Sequence, residues 1–131
     1  MCRFRFLNEL LLKSVMDNEM TFKESILLAN KIIERFEKIE GKPWGVEGAL
    51  IELSKQVGEL SKLIMVQEKY YFENRAELDN QYVVNKEKIG DELADIFYVI
   101  IRIAKHYGID LEQAHVAARK EEDEFLKTKN I

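Results

Sequence analysis

The sequence predicts an all-α protein built as a four-helix bundle, and three observations carry that prediction. The chain has 131 residues but one proline and six glycines, so long stretches are free of helix breakers. Two capping boxes, Thr21-Phe22-Lys23-Glu24 and Asp110-Leu111-Glu112-Gln113, each stand at the head of a run with apolar residues at helical spacing. No segment sustains the two-residue alternation of a strand.

Taken in order, residues 1–20 read as an N-terminal extension whose order the sequence leaves open, and residues 21–131 as the helical domain. Met16 and Met20 inside that extension are alternative starts. The first helix follows the N-cap Thr21, carries Ile26, Leu27, Ile33 and Phe36 on one stripe, and stops at Gly41. Gly41-Lys42-Pro43-Trp44-Gly45 is the clearest turn in the chain. A second helix from Val46 to Tyr71 carries Leu50, Leu53, Val57, Leu60 and Ile64 in a seven-residue pattern. Residues 72–85 are polar and aperiodic, a loop or a lid-like excursion. The third helix runs from Lys86 to Tyr107 and ends at Gly108, the residue that best tolerates a left-handed C-terminal turn. The fourth runs from Asp110 to Lys129.

The third helix is apolar on nearly every side from Leu93 to Ala104, so it needs cover on more than one face. Three neighbours from one chain supply part of that cover. A homodimer or homotetramer is the expected remainder.

Composition bounds the function. A chain of this length makes one domain that buries roughly two-thirds of its unfolded surface. The net charge of −4 and the lack of a basic block argue against nucleic acid as a partner. The single cysteine, Cys2, can form no intrachain disulfide and no zinc spacing. Asn8, Glu9 and Lys13 break the apolar stretch Phe6 to Val15, which therefore does not read as a secretory signal. The run from Leu93 to Ala104 holds Asp95 and Arg102 and is too short to span a bilayer. A cytoplasmic protein without a membrane partner is the expectation.

Two acidic clusters stand out because they lie in the most hydrophobic helix segments. Glu52, Gln56 and Glu59 fall at i, i+4 and i+7 on the second helix, one continuous face. Glu92 and Asp95 share a face of the third, flanked by Asp91. Carboxylates in apolar surroundings are costly unless a positive charge meets them, and a divalent cation is an economical partner. Magnesium takes hard oxygen ligands and keeps sites for water and substrate phosphates. The plain alternative is solvated acidic surface, which is the right reading for equally spaced pairs such as Glu34/Glu37 and Glu121/Glu124.

From Pro43-Trp44 through Glu52, Val57-Gly58-Glu59-Leu60 and Gly90-Asp91-Glu92-Leu93-Ala94-Asp95-Ile96 to His106-Tyr107-Gly108-Ile109-Asp110-Leu111, the chain resembles the MazG family. These are all-α nucleoside triphosphate pyrophosphohydrolases related to dimeric dUTPases. The resemblance covers about residues 21–125. It implies Mg²⁺, with Mn²⁺ as substitute, held by an E-x-x-E and an E-x-x-D pair on neighbouring helices. Glu92 and Asp95 match the second pair in full. Glu59 matches half of the first, but Gln56 stands where the family has glutamate, with Lys55 beside it. An amide offers a carbonyl oxygen without charge and cannot act as a base. Glu52, one turn earlier, can complete the shell.

The implied reaction splits a nucleoside triphosphate between the α and β phosphates. Glu59 or Glu52 is then the general base, and the sequence does not choose between them. Lys88, Arg102, Arg119 and Lys120 are candidate phosphate partners, each with solvated surface charge as the plainer reading. Trp44 can stack on a base or staple the first two helices together. Tyr70, Tyr71 and Phe72 can close over a nucleotide or serve a core contact. Glu112-x-x-His115 has the spacing of a di-iron motif, but Ile103 three residues before His106 leaves no second copy. A helical interaction module that has lost turnover is the rival, and Gln56 favours it.

Overall fold

The computed structural model describes residues 19–71 and 80–131. The extension through residue 18, with Cys2, and residues 72–79, with Phe72, lie outside the described residues. The described residues are all-helical and contain no strand: α1 (Phe22–Glu37), α2 (Val46–Gln67), a short 3-10 turn at Asn80–Tyr82, α3 (Lys86–His106) and α4 (Leu111–Thr128).

Local chemistry sets the helix ends. The Thr21 hydroxyl accepts from the Glu24 amide at 3.1 Å and the Glu24 carboxylate accepts from the Thr21 amide at 2.9 Å, closing the capping box. Asn85 caps α3 by accepting from the Lys88 amide at 2.8 Å, and Asp110 caps α4 by accepting from the Gln113 amide at 3.0 Å. α1 ends before the expected Gly41, because the amides of Ile39 and Glu40 both turn back to the Phe36 carbonyl at 3.0 Å. α2 ends at Gln67 rather than Tyr71. Lys69 adopts a left-handed φ of 62° there, and the Tyr70 amide reaches back to the Met65 carbonyl at 2.9 Å. The same closure ends α3, where Gly108 takes a φ of 63° and the Ile109 amide donates to Ala104 at 2.9 Å. At Gly108 that conformation meets no Cβ penalty.

The helices alternate in direction. Glu92 lies within electrostatic reach of Glu59, Asp95 within reach of Glu52, and Arg102 stacks on Trp44. Residue numbers thus rise along α3 as they fall along α2, so the two helices are antiparallel. α4 docks through Leu111, which packs on the core, and through His115, whose ring meets Phe22 edge-on at 6.2 Å.

The core centres on Ala29 and Ile33 of α1 and Ile101 of α3, with Ile26, Tyr98 and Leu111 packed around them. The apolar pattern of α2 splits into two faces. Ala49, Gln56 and Leu63 are buried, with Leu53 and Leu60 half-buried beside them, while Leu50, Val57 and Ile64 are exposed. The expected stripe mixed these faces, because a seven-residue spacing fits both the face toward α3 and the one turned away from it. Leu27 of α1 is also exposed, and Ala29 takes the core position instead. Leu93, Phe97 and Ile100 keep part of α3 on the surface, although Phe97 stacks on Phe22 at 5.8 Å. Among the described residues no helix is long and apolar enough to cross a membrane.

Candidate functional site

The seam between α2 and α3 brings the two acidic pairs together. Glu52, Gln56 and Glu59 project from α2 at positions that recur every turn or two. From α3, Glu92 lies within electrostatic reach of Glu59 and Asp95 within reach of Glu52. Gln56 is the most enclosed of the five at 5% exposure, and its amide nitrogen donates to Glu52 Oε1 at 2.9 Å. That bond commits the NH₂ end to Glu52, which leaves the carbonyl oxygen as the end able to face a cation.

Two lysines sit beside the acids. Lys55 approaches Glu52 at 3.7 Å and Lys62 pairs with Glu59 at 3.1 Å, each one helical turn along α2. The pairs are partly solvated, so each contributes little to stability.

The carboxyls of α3 have environments unlike ordinary surface acids. Burial, then the Asp95 and Glu59 charges, push the Glu92 carboxyl above its usual range, with Lys55 and Lys62 pulling the other way. Glu92 Oε2 is buried without a hydrogen-bond partner. Asp95 reaches the surface, yet the protein crowding the seam desolvates its carboxyl and raises it, with Asp91 and Glu52 adding to the effect and Lys55 opposing it.

Raised acids destabilise the fold when ionised. Stability assigned to these two groups is therefore full below the ordinary carboxylate pKa of about 4 and declines as pH rises through the raised folded values. Without divalent cations, thermal melts of the wild-type protein are expected to show this decline, and the double variant Glu92→Gln/Asp95→Asn to flatten it. An equally steep wild-type and variant profile would place the effect elsewhere.

The donor set suits a hard divalent cation: carboxylates, one amide and an orphaned buried oxygen. Among the described residues no three acidic or histidine side chains converge on one point as they stand. The fit rests on donor chemistry and on the shared seam.

The candidate substrate residues divide. Trp44 and Arg102 meet, the guanidinium carbon 4.7 Å from the ring centroid. An open groove of about 500 Å³ lies beside this turn, lined by Lys42, Trp44, Gly48, Ile51 and Glu52 among others, Glu52 being the one site acid in its wall. Lys88 stands one turn before Glu92, and its ammonium donates to the Val83 carbonyl at 2.8 Å. Arg119 pairs with Glu122 at 2.8 Å on α4, and Lys120 is exposed beside it. Both lie beyond the Leu111 and His115 contacts that dock α4. Tyr71 meets Tyr82 edge-on at 5.4 Å and directs its hydroxyl to the Met65 sulfur at 3.7 Å, while Tyr70 is exposed. Sequence reasoning did not single out Lys42, whose signal was its place in the Gly-Lys-Pro-Trp-Gly turn, nor Lys55 and Lys62 as partners of the acids.

Fold and site together define an all-helical protein with an acidic seam between two antiparallel helices and an aromatic groove at one end of it. Comparison with protein-family models, with curated proteins and with solved structures gave no match.

Proposed function

We propose that the protein is a Mg²⁺-dependent nucleoside triphosphate pyrophosphohydrolase of the MazG type, working as a homo-oligomer on a nucleotide of the cell's pool. The observation that carries this reading is the closeness of Glu59 to Glu92 and of Glu52 to Asp95, with both α3 carboxyls raised and one buried oxygen unpartnered. Glu52, Glu92, Asp95 and the Gln56 carbonyl would hold the ion, and when bound it would supply charge neutralisation at the phosphates and a more acidic water.

The chain's own residues do the rest. Glu59 is the more accessible α2 acid, its side chain 45% exposed against 17% for Glu52. Both acids are engaged, Glu52 by Gln56 and Glu59 by Lys62 on its solvated side, so exposure separates them. Glu59 is therefore the base that takes a proton as water oxygen bonds to the α-phosphorus. The bond between that phosphorus and the bridging oxygen breaks, and pyrophosphate leaves. Lys88, one turn before Glu92 on α3, is the candidate cation for the departing phosphates.

The exposed apolar face of α2, at Leu50, Val57 and Ile64, supports the oligomer. The same face and the hydrogen-bonded Gln56 favour the second reading, a helical interaction module with weakened turnover.

The test is pyrophosphate release from a panel of ordinary and damaged nucleoside triphosphates with Mg²⁺ or Mn²⁺, and with EDTA as control. Metal-dependent monophosphate and pyrophosphate in equal amounts are expected. No turnover from a folded protein across the panel leaves the interaction module.

A further inference from the structure

Arg102 stands out among the basic side chains because it is already engaged. Its Nη2 donates to Glu40 Oε1 at 2.9 Å and to Oε2 at 3.1 Å, and its guanidinium lies over the Trp44 ring at 4.7 Å. The Arg102 and Glu40 side chains are only 11% and 16% exposed. A buried, doubly bonded guanidinium is poorly placed to leave for a phosphate, since departure would strand the Glu40 carboxylate. Trp44 has a second contact, one turn on along the chain. It packs over Gly48, where a Cβ would come within 3.7 Å of the Trp44 Cβ. Trp44 as a residue nevertheless stays 43% exposed, in the wall of a groove that Glu52 also lines.

We propose that Glu40 and Arg102 are positioning residues that fix Trp44 as a stacking platform for the nucleobase, in the groove that Glu52 of the acidic seam also lines. The identity of the ligand as a nucleotide rests on the function proposed above; the platform itself rests on the packing. Arg102 thus acts through Trp44 rather than on phosphate. Glu40, near the start of the α1–α2 turn, anchors the guanidinium and through it the ring. Both bonds to Glu40 leave from the one nitrogen Nη2, so it is the planar stacking on the indole, rather than the ion pair, that a lysine would lose.

Trp44 is the chain's single tryptophan, so its emission reports this groove without interference. The experiment is a fluorescence titration of the full chain with the common nucleosides and deoxynucleoside monophosphates in EDTA, where no turnover occurs. Wild-type emission is expected to be quenched saturably. Arg102→Lys should weaken that binding about tenfold and shift the emission to the red, with helical content unchanged. Should Arg102→Lys fail to fold, the double variant Glu40→Ala/Arg102→Ala removes both charges together and strands neither. It is expected to show the same red shift and weakened binding. Unchanged emission and unchanged quenching in a folded variant overturn the positioning role, and so does a wild-type emission that no nucleoside or nucleotide alters. Saturable quenching without pyrophosphate release from any triphosphate would sink the hydrolase reading while leaving the platform in place.

Discussion

Asp95→Asn is expected to lower metal-dependent pyrophosphate release by about a hundredfold or more while circular dichroism stays that of the wild type. The amide keeps the shape of the side chain and removes the charge. In the absence of divalent cations the variant should melt slightly higher than the wild type, since a neutral group no longer repels Asp91 and Glu52. In excess Mg²⁺ that order should reverse, because the wild type gains the binding free energy and the variant does not. Unchanged turnover would remove Asp95 from the proposed centre.

Gln56→Glu has the second large expected effect, and its sign depends on the ion. The amide nitrogen lies 2.9 Å from Glu52 Oε1 in a pocket where Gln56 is 5% exposed. A carboxylate there loses the donor and sets two acids at hydrogen-bond distance. The apo protein should lose about 1–3 kcal/mol, read as a lower melting temperature. Mg²⁺ or Mn²⁺ should restore much of it. Turnover should rise if the amide weakens the ion's hold, whereas a fall would mean that the centre is built around the carbonyl. A variant that melts like the wild type with and without cation would place Gln56 outside the centre.

The helices were legible because their signals are local. Thr21 with Glu24 and Asp110 with Gln113 bond within one turn, so the sequence carries both partners of each contact. The acids were legible for a related reason, since helical spacing alone puts Glu52, Gln56 and Glu59 on one face. Which apolar face of α2 is covered was not legible. The choice between Leu50/Val57/Ile64 and Leu53/Leu60 depends on where α3 lies, and no residue of α2 encodes that. Glu40 and Arg102 are 62 residues apart and carry no spacing rule, so their pairing became visible only in three dimensions. The early ends of α1 and α2 escaped for a subtler reason. Ile39 and Lys69 are not helix breakers, and carbonyls one turn back capture the chain before Gly41 or Tyr71 is reached.

The antiparallel register of α2 and α3 has a consequence for what aligns the acids. Glu59 lies eight residues before the end of α2 and Glu92 six residues into α3. At 1.5 Å per residue, roughly 10 Å of regular helix separates the acids from the segment that joins the two helices. The pairing of Glu59 with Glu92 is fixed by side-chain packing along that length and not by the span of the joint. The alignment of the acids is thus a property of two stiff rods lying side by side, whose long contact decides which carboxyl neighbours which.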